Sequence, residues 1–556
     1  MKRTLCVVTN RVPRDSQESQ DGSAKGAIWG ANVYNAGWFN ALLRYSTYDS
    51  ILIATPDRSD DYLTQCTSSA ATESRVSFLN EIQLANMAAE ERLVFATTGP
   101  FISDLDRLRK RMQRLSAPVT GVIHANNSSF ALHAILLAAI GDIQSYDAIV
   151  CTSDAGRQTI VNCFQELQQR IAKVGLTGYK MTFPKTPVIP IGVNTGLFTQ
   201  DDRDGARQML EITSGVVLLY FGRFDLAGKA DVFPLIAAFE TVLRTEPNAW
   251  LVLAGDDTAY HLEPKVTKFA DELGIGSRVR VVVNPSFNRK RQLYAAADIF
   301  VSLPDNLQET FGITVVEAMA SGLPVIGADW DGYKDTIISD ETGILIPTLL
   351  PRFEPPFDPI LGPITGPGPD LLACSTVSDL RALVRAIIDL VRQPELRKRL
   401  GAAGRLRARA HFDWSIIVKQ YEALWDASSE EGHLNAIQSD VGTLGLTRYD
   451  YLRLFSHYAT TMIDSTVCLR VSDVTHDSKY MTTLSRFIAP NMSWFQQSEF
   501  DKIITFINAK ETVSIGEIVE GLTSCNIDHN IILSHVARLW KYGLLESLPK
   551  PEVHPS

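Results

Sequence analysis

The sequence lacks the long apolar segments that membrane insertion requires. No uninterrupted apolar run reaches about 20 residues, the length of a membrane-spanning helix. The apolar part of the N-terminal stretch MKRTLCVVTN is too short for the core of a secretory signal peptide. The longest apolar candidate, FALHAILLAAIG, is interpreted as a buried helix. We therefore expect a cytoplasmic protein, with peripheral contact to a membrane surface as an open alternative.

Cysteines are few, and their spacing is not that of a metal site or a disulfide framework. The seven cysteines are scattered, with no C-x-x-C pair and no zinc spacing. Their number is odd, and several lie within apolar strands or helices. We therefore expect buried, reduced thiols.

Positive charges are outnumbered by negative ones, with 53 Lys and Arg residues against 63 Asp and Glu residues. The formal net charge of −10 disfavours nucleic acid or an anionic membrane as the principal partner. Hydrophobic residues make up 45% and charged residues 21% of the chain, which is an ordinary soluble globular composition. At about 150 residues per domain, the chain is long enough for three or four domains. An acidic protein can still bind a nucleotide, because backbone amides and a few well-placed bases suffice.

Short β-branched runs alternate with amphipathic helical stretches over most of the chain. Strands that are apolar on both faces and separated by helices predict a parallel sheet covered on both sides. The pattern restarts after the polar stretch at residues 199–208, which predicts two consecutive α/β units facing a cleft. Ligands of such sheets bind beyond the carboxyl ends of the strands. The predicted strands are TLCVVT, SILIA, RLVFAT, VTGVIH, AIVCTS and TPVIPI in the first unit, and VVLLYFG, AWLVLAG, VRVVV, IFVSL, LPVIGA and GILIP in the second.

Breaks in this pattern predict the domain boundaries. The first α/β domain is predicted over residues 1–205 and the second over residues 206–412. A helix at residues 413–426 is expected to return to the first domain and complete it. Residues 347–370 are so rich in proline and glycine that we expect an irregular surface loop, with helices resuming from Val377.

The tail, residues 433–556, has a different sequence pattern from the two α/β units. FDKIITFINAK, VSIGEIVEGLTS and DHNIILSHVARLWKYGLLE form three helical patterns that resemble a winged-helix module. From Asp440 onward the tail holds thirteen acids and ten bases, whereas modules that bind duplex DNA are usually basic. We therefore favour a protein partner, self-association or acceptor recognition over nucleic acid for this tail.

The segment AADIFVSLPDNLQETFGITVVEAMASGLPVIGAD, residues 296–329, has the strongest chemical signature in the chain. A strand ends in a polar loop, and a helix begins near Phe311 and Gly312. Gly312 lets a ligand approach the backbone, and the free amides of a first helical turn favour an anion such as a diphosphate. Glu309 lies just before this helix, and Glu317 lies within reach of a ribose whose phosphate sits on the helix start.

Two glutamates separated by seven residues and followed by A-x-A-x-G-x-P-V resemble glycosyltransferase family 4 of the GT-B type. The resemblance implies an α/β fold with two Rossmann-like domains facing a cleft, followed here by a mainly helical, winged-helix-like domain. It implies a retaining enzyme that uses a nucleoside-diphosphate sugar, without a cofactor and without a required metal. It also implies that Glu309 contacts sugar hydroxyls and that Glu317 contacts the ribose.

Further segments are similar to the same family. YFGRFDLAGKAD resembles its G-R-L-x(n)-K-G segment, which implies that Arg223 and Lys229 grip the donor diphosphate. VTGVIHANN resembles the strand whose terminal histidine, here His124, contacts the transferred sugar or the acceptor. His124, Glu309, Arg223 and Lys229 are thus the candidate catalytic residues.

The remaining donor-side candidates lie in loops and helix starts. Gly26 and Gly30 are predicted to form a glycine-rich loop between the first strand and the first helix. Asp256, in LAGDD, resembles a family turn near the nucleotide base, and Asp335 occupies the place of a common family glutamate. The candidate donor-binding residues are Gly30, Phe311, Gly312, Ile313, Glu317 and Asp256.

The sequence leaves the identity of the acceptor open. A glycan, a lipid-linked glycan and a polypeptide are all compatible with the sequence. Two other functions are alternatives: a sugar-nucleotide epimerase with the same fold, and a non-catalytic regulatory protein that works through its C-terminal module.

Overall fold

The structure is a computed structural model of the chain. It describes residues 2–9, 30–54, 75–79, 92–124, 129–175, 181–226, 228–351, 369–435, 464–472, 497–510, 512–524, 529–541 and 543–547. The chain forms two compact units, residues 1–447 and residues 448–556.

A six-stranded parallel sheet lies in the N-terminal part of the first unit, in the order β3-β2-β1-β4-β5-β6. Its strands are β1 (Arg3–Val8), β2 (Ser50–Ala54), β3 (Val76–Leu79), β4 (Arg92–Ala96), β5 (Val119–Ile123) and β6 (Ala148–Cys151). Its helices are α1 (Gly30–Tyr45), α2 (Ile102–Arg111), α3 (Ser129–Ile140) and α4 (Asp154–Lys173). Strands β2, β5 and β6 are buried along their whole length, because helices cover such a sheet on both faces.

A second six-stranded parallel sheet follows, in the order β12-β11-β10-β7-β8-β9. Its strands are β7 (Val217–Phe221), β8 (Trp250–Gly255), β9 (Val279–Val283), β10 (Ile299–Ser302), β11 (Val325–Ala328) and β12 (Gly343–Ile346). Both sheets have the 3-2-1-4-5-6 strand order of a Rossmann fold. The predicted fold class, two Rossmann-like α/β domains, is confirmed.

The described residues of this second part also form helices. These helices are α5 (Arg203–Gln208), α6 (Phe233–Leu243), α7 (Glu263–Glu272), α8 (Phe287–Ala296), α9 (Ile313–Ala320), α10 (Tyr333–Thr336), α11 (Pro369–Ser375), α12 (Leu380–Arg392) and α13 (Pro394–His411). A short antiparallel ribbon pairs β13 (Thr348–Leu349), at the start of the proline-rich stretch, with β14 (Val377–Ser378), so this part of the expected irregular loop is a strand. Residues 352–368 of that stretch lie outside the described residues.

Helix α14 (Trp414–Asn435) packs on α1 of the first sheet. The hydroxyl groups of Tyr34 and Tyr421 are hydrogen-bonded at 2.9 Å, and Ser46 donates to the buried Glu422 at 2.8 Å. The chain thus returns to the N-terminal sheet, and the helix runs nine residues beyond the predicted end at residue 426, to Asn435.

Three local predictions were wrong. The segment TPVIPI, residues 186–191, is not a strand and makes only an isolated bridge, Cys151 with Val188. Pro187 and Pro190 have no backbone N–H, and a ladder needs that donor. Gly30 does not lie in a loop, because it is the first residue of α1. Helices resume at α11 rather than at Val377, which is in strand β14.

The cysteines that the structure describes form no disulfide bonds. Cys6 and Cys151 are buried, as predicted, and burial raises the pKa of Cys151 to about 12. Cys374 is exposed, contrary to the expectation of buried thiols, and Cys66 and Cys525 lie outside the described residues. Within the described part of the chain, no helix has the length and apolarity needed to cross a membrane.

The described residues of the second unit form three helices and a three-stranded antiparallel sheet, in the order β16-β15-β17. These elements are β15 (Cys468–Val471), α15 (Gln497–Asn508), β16 (Val513–Ser514), α16 (Ile515–Thr523), α17 (His529–Lys541) and β17 (Leu545–Ser547). A capping box starts α16, since Ser514 accepts from the Glu517 amide and Glu517 accepts from the Ser514 amide. A helical C-terminal region is therefore present, and the winged-helix interpretation stays a prediction.

Candidate functional site

The candidate residues of the second sheet gather where its strand order reverses. Strand β7 lies between β8 and β10, so the loops after β7 and β10 leave the sheet side by side. Such a switch point opens a crevice in which ligands of doubly wound sheets bind. Arg223 and Lys229 follow β7, and Glu309 follows β10.

Lys229 and Glu309 form an ion pair within this crevice. The two side chains are 23% and 9% exposed, so the pair is largely shielded from water. The side-chain amide of Asn306 donates to the Lys229 carbonyl, which fastens the loop after β10 to the loop after β7. The structure thus brings two of the predicted catalytic residues into direct contact.

Arg223 is held by its own loop. Its guanidinium donates to the Asp225 carboxylate at 2.9 and 3.2 Å and to the Gly228 carbonyl at 3.3 Å. The other Asp225 oxygen accepts from the Gly228 amide at 2.8 Å. Asp225 thereby orients the guanidinium and shapes the turn that leads to Lys229.

Helix α9 begins as the sequence predicts. Gly312 precedes it with φ +90°, a left-handed conformation that favours glycine. A Cβ atom at Gly312 would also collide with the ring of the buried Tyr333. Phe311 is buried beside the helix start, and Ile313 is the first helical residue. The first-turn amides of such a helix have no intrahelical partner and favour an anion.

Glu317 lies about one turn into α9 and is 2% exposed. One carboxylate oxygen accepts from the Lys290 ammonium at 2.5 Å, and the other accepts from the Tyr294 hydroxyl at 3.0 Å. Neither partner was identified from the sequence. The available signal was their spacing, because residues four apart on α8 face the same side of a helix.

His124 follows β5 in the first sheet, and its ring lies against Tyr34 with centroids 4.1 Å apart. Its Nε2 is 3.0 Å from the Thr98 carbonyl oxygen, which can only accept, so this nitrogen carries the proton. Nδ1 is then the unprotonated nitrogen, and it has no hydrogen-bond partner among the described residues. Burial lowers the pKa of His124 to about 4, so the ring is neutral at pH 7.

Two further donor-side candidates have local roles. The Asp256 carboxylate accepts from the Thr258 amide and hydroxyl, at 3.1 and 2.7 Å. Its carbonyl accepts from the Phe224 amide at 2.8 Å, which places Asp256 beside Arg223. Gly30, at the start of α1, is not linked by any described contact to this crevice, and Gly26 lies outside the described residues.

Carboxylates that the sequence reasoning missed surround the ion pair. Burial and the nearby Glu309 and Asp335 carboxylates raise the pKa of Asp331 to about 8. Burial raises the pKa of Asp305 to about 7, and one of its oxygens accepts from the Asp231 amide at 3.2 Å. Both carboxyl groups therefore hold a proton up to a higher pH than an ordinary aspartate, which lowers the negative charge that an anionic ligand meets near Glu309.

A separate groove of about 670 Å³ lies within the second unit. Ile515, Val519 and Leu533 supply apolar lining, and the carboxylate residues Asp464 and Glu520 also line the groove. Its volume falls within the range of about 300–1,000 Å³ that is typical of ligand pockets.

Residues 202–349 match the family model of group 1 glycosyl transferases. This matching segment contains the ion pair, Arg223 and the whole of α9. His124 lies outside it.

Two curated relatives give the same class. The D-inositol 3-phosphate glycosyltransferase of Segniliparus rotundus is 30% identical over 174 residues, covering 31% of this chain and 38% of the relative. The phosphatidyl-myo-inositol mannosyltransferase of Mycobacterium tuberculosis is 28% identical over 245 residues, covering 44% of this chain and 54% of the relative. The chain thus spans between about a third and half of the length of these relatives.

The crystal structure of Anabaena Alr3699/HepE in complex with UDP and glucose is similar in fold. The TM-score is 0.50 at 15% sequence identity, and the match covers 76% of this chain and 100% of that one. This likeness, together with the two Rossmann-ordered sheets, is that of a GT-B fold.

Proposed function

We propose that this protein is a retaining glycosyltransferase that moves a sugar from a nucleoside-diphosphate sugar to an acceptor hydroxyl. The observation that carries the proposal is the joint position of Arg223, Lys229 and the α9 start around Glu309, at the β7–β10 switch point. The names of the relatives and the UDP and glucose in the similar structure support the same class of reaction.

The leaving group is the nucleoside diphosphate. In this proposal the Arg223 guanidinium and the Lys229 ammonium neutralise its phosphates, and the α9 amides near Gly312 bind a phosphate oxygen. Groups that are fixed before the reaction stabilise developing charge without having to reorganise. Asp225 supplies that fixation for Arg223. The proposal assigns this role to no metal, and EDTA is expected to leave turnover unchanged.

In this proposal the two glutamates bind different parts of the sugar donor. Glu309 accepts hydrogen bonds from sugar hydroxyls, and Glu317 accepts from the ribose hydroxyls. Lys290 and Tyr294 each occupy one oxygen of Glu317, but a carboxylate has about four lone-pair positions, so capacity remains. The backbone from Phe311 to Ile313 completes the donor cradle, and Asp256 borders the base.

The bond changes follow from retention of the anomeric configuration. The bond between the anomeric carbon and the β-phosphate oxygen breaks, and the diphosphate leaves with the electron pair. The acceptor oxygen bonds to the same face of the anomeric carbon, and its proton passes to the departing phosphate oxygen. No covalent enzyme intermediate is required.

His124 acts on the sugar or the acceptor as a hydrogen-bond acceptor in this proposal. A neutral imidazole with the proton on Nε2 offers Nδ1 to a hydroxyl group. Residues 1–205 with the returning helix form the acceptor side, and residues 206–412 form the donor side. Closure of the two domains excludes water and limits donor hydrolysis.

The acceptor belongs to the same proposal. The two relatives carry inositol 3-phosphate and phosphatidyl-myo-inositol in their names, so inositol derivatives are the first acceptors to test. A lipid-linked acceptor would require peripheral membrane contact, and glycans and polypeptides complete the panel.

The test is a release assay on the purified full chain. UDP-, GDP-, ADP- and TDP-sugars are each incubated with and without an acceptor from the panel, and nucleotide release and products are followed. The proposal requires acceptor-dependent release with retention at the anomeric carbon. Conversion of the donor to an isomeric sugar nucleotide without release would establish the epimerase alternative instead.

We also propose that the groove of the second unit binds a polypeptide with an apolar side chain next to a lysine or arginine. Its apolar lining and the Asp464 and Glu520 carboxylates match that chemistry. Labelled peptides that alternate leucine with lysine, or leucine with glutamate, test this by fluorescence anisotropy. The lysine peptide should bind, and Glu520→Lys should abolish its binding, whereas Glu546→Lys outside the groove should not. Equal binding of both peptides to the wild-type chain would contradict the assignment.

A further inference from the structure

Thr310, the residue after Glu309, connects the second sheet to the first. Its hydroxyl lies 2.9 Å from the His124 carbonyl oxygen and 2.9 Å from the Thr152 hydroxyl. His124 and Thr152 directly follow β5 and β6 of the first sheet, whereas Thr310 lies in the loop after β10 of the second. The residue beside the predicted sugar-binding carboxylate is therefore bonded to the opposite domain.

The direction of these hydrogen bonds is fixed by chemistry. A carbonyl oxygen only accepts, so the Thr310 hydroxyl donates to His124. The Thr310 oxygen must then accept from Thr152, whose hydroxyl is also 3.2 Å from the Thr310 carbonyl oxygen. The result is a directed chain from Thr152 through Thr310 to His124. Each donor in such a chain polarises the next.

The chain is shielded from water. Thr152 is 2% exposed and Thr310 is 3% exposed. A buried hydroxyl that loses its partner has no solvent to replace it, so removal of either hydroxyl is costly in this arrangement.

A second contact is made by the same turn of the first domain. The Asp154 amide, at the start of α4, donates to the Asp335 carboxylate at 2.5 Å. Gly332, three residues before Asp335, packs so closely on the Thr310 backbone that a Cβ atom there would collide with it. The turn from Thr152 to Asp154 therefore contacts both loops that border Glu309.

We infer that Thr152 is a positioning residue: through Thr310 it holds Glu309 in place for sugar transfer when the two domains are together. The inference rests on the proposed function. Thr152 contacts neither Arg223 nor Lys229 in any described hydrogen bond, so the grip on the diphosphate stays intact without it. Loss of the Thr152 hydroxyl should therefore affect turnover and leave nucleotide affinity unchanged.

The experiment separates kcat from binding in the full chain. Thr152→Val removes the hydroxyl and keeps the shape, and it should lower kcat by about tenfold, the size of one buried hydrogen bond. The dissociation constant for the nucleoside diphosphate, from calorimetry, should stay within about twofold, since uniform binding is untouched. Thr152→Ser should restore most of the rate. Thr120→Val is the matched control, because Thr120 is buried on β5 and its hydroxyl has no partner among the described residues.

A double-mutant cycle covers the case in which Thr152→Val fails to fold. If the two threonines act through one bond, Thr152→Ala and Thr310→Val, which each remove a hydroxyl, should together cost less than the sum of the single changes. Additive effects, a wild-type kcat for Thr152→Val, or an equal loss of nucleotide affinity would each overturn the inference. A chain that binds no nucleoside diphosphate would instead refute the proposed function.

Discussion

The ammonium group of Lys229 lies against the carboxylate of Glu309, so the cation assigned to the diphosphate is paired with the anion assigned to the sugar. Without a bound sugar donor, the Lys229 ammonium and the Glu309 carboxylate pair with each other in a crevice that is largely shielded from water. A bound donor would offer phosphate to Lys229 and hydroxyl groups to Glu309. The pair therefore keeps two reactive groups in position until a ligand with both chemistries arrives.

Replacement of Lys229 by methionine should lower kcat about a hundredfold, as the loss of one preorganised charge in a transition state typically does. It also leaves the Glu309 carboxylate without its cation. Steady-state kinetics with the best donor provides the measurement. Lys268→Met, on the exposed face of α7, is the control and should match the wild type. A Lys229→Met variant with more than a third of the wild-type rate would remove Lys229 from the site.

Replacement of Glu317 by glutamine should weaken nucleotide binding about tenfold, because a charged acceptor is replaced by a neutral one. It also leaves the Lys290 ammonium with a neutral partner, so stability should fall too. Calorimetry with the nucleoside diphosphate and thermal denaturation measure the two effects. Glu272→Gln, at an exposed position on α7, provides the comparison. The ribose assignment fails if affinity is unchanged while stability drops.

The lowered pKa of His124 leads us to expect that the stability of the folded chain depends on pH. Its pKa is lowered from 6.5 to about 4 by burial, so between these values the unfolded chain binds a proton that the folded chain does not. The neutral ring's contribution is fully present above pH 6.5 and is lost as the pH falls toward 4. The difference between these two pKa values corresponds to about 3 kcal/mol in the free energy of unfolding.

Thermal denaturation between pH 4 and 7 measures this contribution. His124→Gln should flatten the decline in Tm toward low pH, whereas His133→Gln, at an exposed position on α3, should not. Identical pH profiles for wild type and His124→Gln would show that the ring is not buried in its neutral form.

The raised pKa of Asp331 leads us to expect the opposite dependence, with stability falling as the pH rises. Its pKa is raised from 3.8 to about 8, so the folded chain holds a proton that the unfolded chain has released. The stability associated with that proton is complete below pH 3.8 and is lost as the pH rises through 8. Asp331→Asn should therefore raise Tm more at pH 9 than at pH 6. Asp204→Asn, at an exposed position on α5, should give the same small change at both values.

Much of the second domain could be predicted because its signals are local. The run from Glu309 to Glu317 contains a glycine before an apolar helical stretch, and the structure has Gly312 in that role with φ +90°. Arg223 and Lys229 lie in one loop after β7. Their clustering with Glu309 follows from the strand order, since parallel strands place their carboxyl ends at one edge of the sheet.

Other parts of the site depend on contacts between distant segments. Lys290 and Tyr294 precede Glu317 by 27 and 23 residues. Their spacing on α8 places them on one face of the helix, but it does not show which distant residue that face contacts. Thr152 and Thr310 are 158 residues apart, and each is an ordinary threonine after a strand. The wrong prediction of a strand at residues 186–191 had another cause. It relied on the β-branched residues of this segment and gave too little weight to Pro187 and Pro190, which lack a backbone N–H donor.

Calorimetric titration of the full chain with UDP, GDP, ADP and TDP tests the central claim most directly. One of these nucleotides should bind at one site per chain. Arg223→Ala should weaken that binding at least tenfold, about the contribution of a charge-assisted hydrogen bond to phosphate. Arg244→Ala, on an exposed part of the same domain, should leave it unchanged. Binding of none of the four, or equal affinity of wild type and Arg223→Ala, would contradict the account.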